Sequence, residues 1–184
     1  MQENLNVDTS FHRVTLNALN FLRLATLDQF NRPTQMAIRV YTAVELILKA
    51  RLLHEHWTLI VNKNPSRAAF EAGDFVSVTF EEACKRLSDA ILDPVPPKAR
   101  QSFDALRKLR NLIVHFVPPE GEGLMGRVRT DAEMRKIAMA AWGALHNLMG
   151  NEWKPVFEPY FAELDRIEQT LGVDRESKRA PEAP

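Results

Sequence analysis

The segment Phe103-Asp104-Ala105-Leu106-Arg107-Lys108-Leu109-Arg110-Asn111-Leu112-Ile113-Val114-His115-Phe116 concentrates the side chains best suited to chemistry. An imidazole with an ordinary pKa near 6.5 transfers protons close to neutrality. A guanidinium is always charged and grips phosphate oxygens in pairs. On a helix at about 100° per residue, Phe103, Leu106, Leu109, Ile113, Phe116 and Val117 form one apolar arc. Arg107, Lys108, Asn111 and His115 lie on the other side, with Asn111 and His115 one turn apart. Such a face suits acid–base work beside a bound phosphate. Lys98, Arg100, Arg107, Lys108 and Arg110, interrupted only by Asp104, make a basic stripe around it, and Arg127 and Arg129 follow. A solvated helix face is the preferred reading for Lys98 and Arg100, whereas Arg107 lies near the Asn111 side.

Arg110 breaks the pattern. Its direction falls within the apolar arc, between Phe103 and Leu106, so its guanidinium must be paired or must reach out to water. An earlier helix has a complementary misfit: Glu45 lies beside Tyr41 and Leu48 on a largely apolar surface. A Glu45–Arg110 contact is the expected resolution of both.

The elements that carry these residues are helices. Ser10 to about Phe30 shows helical apolar spacing, ended by Asn31-Arg32-Pro33. Thr34 is the expected N-cap of a second helix running to about Val61, apolar almost all round and therefore central. A short helical turn spans 66–72. Thr79-Phe80-Glu81-Glu82 has the spacing of a capping box and opens a helix to about Leu92. The prolines of 94–97 separate it from the motif helix, about Pro97 to Phe116. Thr130 caps a helix ending near Gly150, and another runs from Pro155 to Leu171. Phe75–Val78 is the one candidate strand. The expectation is an all-α bundle of five or six principal helices, with a single domain over 10–171 and flexible termini at 1–9 and 172–184.

Composition agrees. The chain has 184 residues, is 45% hydrophobic and 26% charged, and has 24 basic and 24 acidic residues for a net charge of zero. That excludes a strongly basic nucleic-acid coat, though not a local basic patch. A single cysteine, Cys84, excludes an internal disulfide and a Cys-rich zinc site. With no signal peptide at the N-terminus and no apolar run near the roughly 18 residues of a membrane span, a cytoplasmic protein is expected. His54 and His56, two apart, do not share a helix face and are not a zinc pair, and His12 and His146 are isolated in the sequence. Cys84 reads as an ordinary helix residue, and Trp57, Trp142 and Trp153 as core or interface. No metal and no cofactor is called for.

Arg110-Asn111-Leu112-Ile113-Val114-His115 resembles the Arg-x(4–6)-His motif of the HEPN superfamily in its Arg-Asn-x-x-x-His form. Its place on a late helix of an all-α domain, after a long apolar helix containing Ala43-Val44-Glu45-Leu46-Ile47-Leu48-Lys49-Ala50, is similar too, and the likeness covers roughly residues 10–150. The resemblance implies a metal-independent endoribonuclease, a toxin or phage-defence effector, with two motifs converging at a dimer site. Catalysis would then fall to His115 and Arg110, with Asn111 orienting them, Glu45 in support and Arg107 and Lys108 on the RNA. The alternative is a non-catalytic HEPN-like interaction or nucleotide-binding module. The resemblance also implies an antitoxin or regulatory protein as partner; many nucleotidyltransferase-paired members carry a modified Tyr two residues after the His, but here that position is Val117, so a nucleotidyltransferase antitoxin acting on that site is not expected, and modification of Tyr41 or Tyr160 would overturn that expectation.

Overall fold

A computed structural model describes the backbone of residues 2–115 and 130–177 and the side chains of 9–115 and 130–171. Its described residues are all-α. Seven α-helices follow in order: α1 (Gln2–Asp28), α2 (Pro33–Glu55), α3 (Arg67–Ala72), α4 (Phe80–Asp89), α5 (Pro97–His115), α6 (Asp131–Asn147) and α7 (Lys154–Ser177). A 3-10 turn, Trp57–Ile60, follows α2, and a π-turn, Leu148–Glu152, follows α6. α3 has only six residues, so six helices carry the fold. No described helix is long and apolar enough to cross a membrane.

α2 is the hub. It packs against α1, α4, α5 and α6, and Met36, Val40, Ala43, Val44, Ile47, Leu48, Leu52 and Leu53 are buried on its several sides. Each large aliphatic side chain so buried contributes about 1.5–3 kcal/mol. α5 lies against α2 as the sequence suggests, but the most extensive partner of α2 is α1. The short turn between α1 and α2 makes them an antiparallel hairpin in contact along its length. Asp28 locks that hairpin, buried between Arg32 at 2.8 Å and Arg39 at 2.7 Å.

The helix ends correct several expectations. Pro33, not Thr34, opens α2, and the preceding Arg32 makes no side-chain cap. Proline suits the first helical position because its missing N–H would have had no partner there. α2 stops at Glu55, where His56 turns to extended backbone; the apolar Trp57–Ile60 continues only as the 3-10 turn. The Arg86 guanidinium, reaching from α4, binds the carbonyls of Leu59 (2.9 Å), Val61 (2.8 Å) and Asn62 (3.3 Å), which satisfies acceptors that a longer helix would have paired internally. α4 ends at Asp89 instead of Leu92, which adopts a positive φ of 59°. The candidate strand reduces to one antiparallel bridge, Val61 with Ser77.

The other two threonine caps, Thr79 and Thr130, form. The Glu82 amide donates to Thr79 Oγ1 at 3.3 Å, although the Glu82 carboxylate goes to Arg86 and leaves that capping box half made. At α6 the box is complete: the Glu133 amide donates to Thr130 Oγ1 at 3.2 Å, and the Thr130 amide donates to Glu133 Oε2 at 2.9 Å. Thr130→Ala should therefore cost about 1 kcal/mol and lower the melting temperature by about 2–4 °C, measured by differential scanning calorimetry.

Candidate active site on helix α5

Helix α5 buries Ala99, Phe103, Leu106 and Leu109, and Ile113 packs on the same core. This is the apolar arc of the sequence within the described residues; Phe116, Val117, Arg127 and Arg129 lie outside them. The arc fixes the rotation of the helix and so brings Arg110 to the α2 side.

Arg110 is half-buried there. Its Cζ stands 5.7 Å from the centroid of the Tyr41 ring, and its Nη1 donates to Asn111 Oδ1 at 3.2 Å. Glu45 does not pair with it directly. The charge of Glu45, one turn along α2, is felt at the Tyr41 hydroxyl, and the ring of the same Tyr41 carries Arg110, so Tyr41 adjoins both groups that were expected to meet. Burial, and then the Glu45 charge, push the Tyr41 phenol well above the usual tyrosine range, against the lowering influence of Arg110 and Arg107. Tyr41 therefore remains neutral, and its ring face holds the guanidinium, a contact of about 0.5–2 kcal/mol depending on desolvation. The misfit of an arginine in an apolar arc is resolved by an aromatic face and a neighbouring amide. Among the described residues no carboxylate lies within ion-pair distance of Arg110.

The other arginines of the stripe are different. Arg107 lies 3.3 Å from both Asp104 and Glu81, and Arg100 pairs with Glu81 and, at 3.1 Å, with Asp104. Both guanidinium groups also lie over the Phe80 ring, at 6.0 and 4.7 Å. Arg107 is thus part of a neutral knot between α4 and α5, whereas Lys108 is exposed. The sequence pattern did not single out Phe80 or Glu81, nor the bracing role of Tyr41. The Tyr41–Glu45 spacing of one turn was the available signal for the last of these.

Asn111 is half-exposed, and His115, exposed, closes α5 one turn beyond it, about 6 Å along the axis. Arg110 and His115 are about 140° apart around that axis. Asn111 links the two directions, bonded to Arg110 on one side and sharing a face with His115 on the other. Exposed Val114 adjoins this end of the helix.

The remaining candidates take structural places. His12 Nδ1 lies 2.9 Å from the Tyr160 hydroxyl, His54 packs on Phe11, and His56 bonds Thr58. Cys84 is buried, and burial pushes its thiol up to about 11. Native Cys84 should accordingly react with a thiol reagent at pH 8 about 100-fold or more slower than in urea, followed by absorbance. Equal rates would show that the α4 packing opens readily.

No protein-family model, curated protein or solved structure matches this chain.

Proposed function

We propose that this protein is a metal-independent endoribonuclease of HEPN type, a toxin or phage-defence effector acting through a composite site in a homodimer. The observation that carries the reading is the state of Arg110: a guanidinium held against Tyr41 and Asn111, with no carboxylate neutralising it among the described residues, on the same helix end as His115. A cation fixed in this way is available to an anion, and the RNA phosphate is the anion that the neighbouring imidazole can act on.

In this reading the 2′-hydroxyl of the RNA attacks the adjacent phosphorus. His115 accepts the hydroxyl proton, the P–O5′ bond breaks, and the departing oxygen is protonated by a second imidazolium or by water. The products are a 2′,3′-cyclic phosphate and a 5′-hydroxyl end. Arg110 binds the non-bridging oxygens as charge builds on them, and Asn111 orients the Arg110 fork. The angle between Arg110 and His115 argues for two copies, the Arg110 of each meeting the His115 of the other around a two-fold axis. Val114 and Leu112 would border that contact. Lys108 remains the exposed cation for the RNA backbone. Arg107 is assigned to bracing, because Glu81 and Asp104 already take its charge.

The neutralised Arg100 and Arg107 favour a second reading, a nucleotide-binding or interaction module that does not cleave, because a long RNA track would use those cations. Incubation with structured and unstructured RNA in chelator, with sedimentation at micromolar concentration, separates the two. Cleavage by a dimer supports the nuclease; binding without cleavage supports the module.

A further inference from the structure

Far along the chain from α5, the structure gathers His146, Asp165 and Glu168. His146 Nε2 lies 3.1 Å from Asp165 Oδ1 and 2.8 Å from Glu168 Oε2, and the three ligand atoms fall within 4.8 Å of one another. His146 is the more enclosed, with 22% of its side chain accessible, against 46% for Asp165 and 45% for Glu168. The last turn of α6 supplies the imidazole, and one face of α7 supplies both carboxylates.

We propose that this cluster binds a divalent transition-metal ion of the Zn2+ type, which clamps the end of α6 to α7. Three observations carry the assignment. First, one ring nitrogen faces two carboxylate oxygens, yet a single N–H can point at only one of them. Second, no lysine or arginine among the described residues pairs with Asp165 or Glu168, and the nearby Arg166 is turned to Glu163 at 3.1 Å. A protonated imidazole would leave the cluster one negative charge in excess, whereas a dication on the neutral ring balances both carboxylates. Third, the imidazole is positioned by its surroundings. Its ring packs on Phe161 at 5.2 Å, and Phe161 occupies the space over Gly150 in the π-turn, where a Cβ would lie 2.2 Å from the ring. π-turns of this kind recur at functional sites.

The dimensions suit the ion. Zinc bonds of about 2.0–2.2 Å to nitrogen and oxygen in a tetrahedron put ligand atoms about 3.3–3.5 Å apart. The 3.1 and 2.8 Å separations from His146 reach that range by opening about 0.2–0.7 Å, the two carboxylates already lie within 4.8 Å of each other, and water completes the shell. The ion displaces any proton on Nε2, so affinity should fall in acid. The assignment is independent of RNA cleavage, because none of these side chains is on α5.

The test is calorimetric titration of the tag-free full chain with ZnCl2 in metal-free buffer. One equivalent should bind, with affinity at least about tenfold weaker in His146→Ala and in Glu168→Gln. Zinc at about 100 times its dissociation constant should raise the wild-type melting temperature by about 5–10 °C. Glu168→Gln alters an accessible carboxylate, so it tests the site even if His146→Ala fails to fold. Absence of saturable binding, or equal binding by wild type and Glu168→Gln, would overturn the proposal.

Discussion

Arg110→Ala should lower the rate of RNA cleavage by about 10²–10³-fold while leaving the helical content unchanged. The size follows from what the guanidinium is asked to do. Charge accumulates on the phosphate oxygens as the 2′-oxygen adds, and a cation already held in place stabilises that charge without reorganising. Two contacts hold it, the Tyr41 face and the Asn111 amide oxygen, and neither neutralises it. Arg110→Lys should recover little, because an ammonium has neither the planar stack on Tyr41 nor the paired donors. Glu45→Gln should have a smaller effect, felt through Tyr41, which would lose the neighbouring carboxylate charge. Cleavage assays on the three variants give the order; a fully active Arg110→Ala would remove the residue from the mechanism.

Phe103→Ala should destabilise the fold by about 3–5 kcal/mol, the largest stability effect expected for a change on the motif helix. Phe103 is fully buried where α5 meets the core, and truncation leaves a cavity that helices pinned by α2 and α6 can close only in part. For a chain of this size the melting temperature should drop by about 6–20 °C. Phe103 lies about two turns before Arg110 and more than three before His115, and Arg110 is held by Tyr41 and Asn111, so below the transition the remaining folded protein should retain its cleavage rate. A drop of less than about 1 kcal/mol, measured by urea unfolding, would mean that the α5 interface is looser than its burial indicates.

The parts of the structure that follow from local chemistry were legible in the residues. The apolar circumference of α2 announced a central helix, Thr79 and Thr130 announced helix starts, and the arc of α5 announced which side is buried. The misfit of Arg110 was legible as well, since an arginine between Phe103 and Leu106 must find some partner. Which partner it found was not, because Tyr41 reaches it only through the packing of α2 on α5. The same cause hid the end of α2: its apolar pattern continues through Trp57–Ile60, and Arg86 from another helix accepts the duty of satisfying those carbonyls. Arg107 looked like a cation for RNA until α4 placed Glu81 beside it. His146 looked isolated until α7 folded back with Asp165 and Glu168. In each case the residue was visible in the sequence, and its partner depended on a contact between distant helices.

In the proposed reaction His115 transfers a proton during metal-free RNA cleavage. Its most direct measurement is the end chemistry and rate of products formed from a single-stranded RNA in excess chelator, by wild type and by His115→Ala prepared side by side. The wild type should give 2′,3′-cyclic phosphate and 5′-hydroxyl ends, and His115→Ala a rate about 10²–10⁴-fold lower. Equal cleavage by the two proteins, or an intact RNA with both, would contradict it.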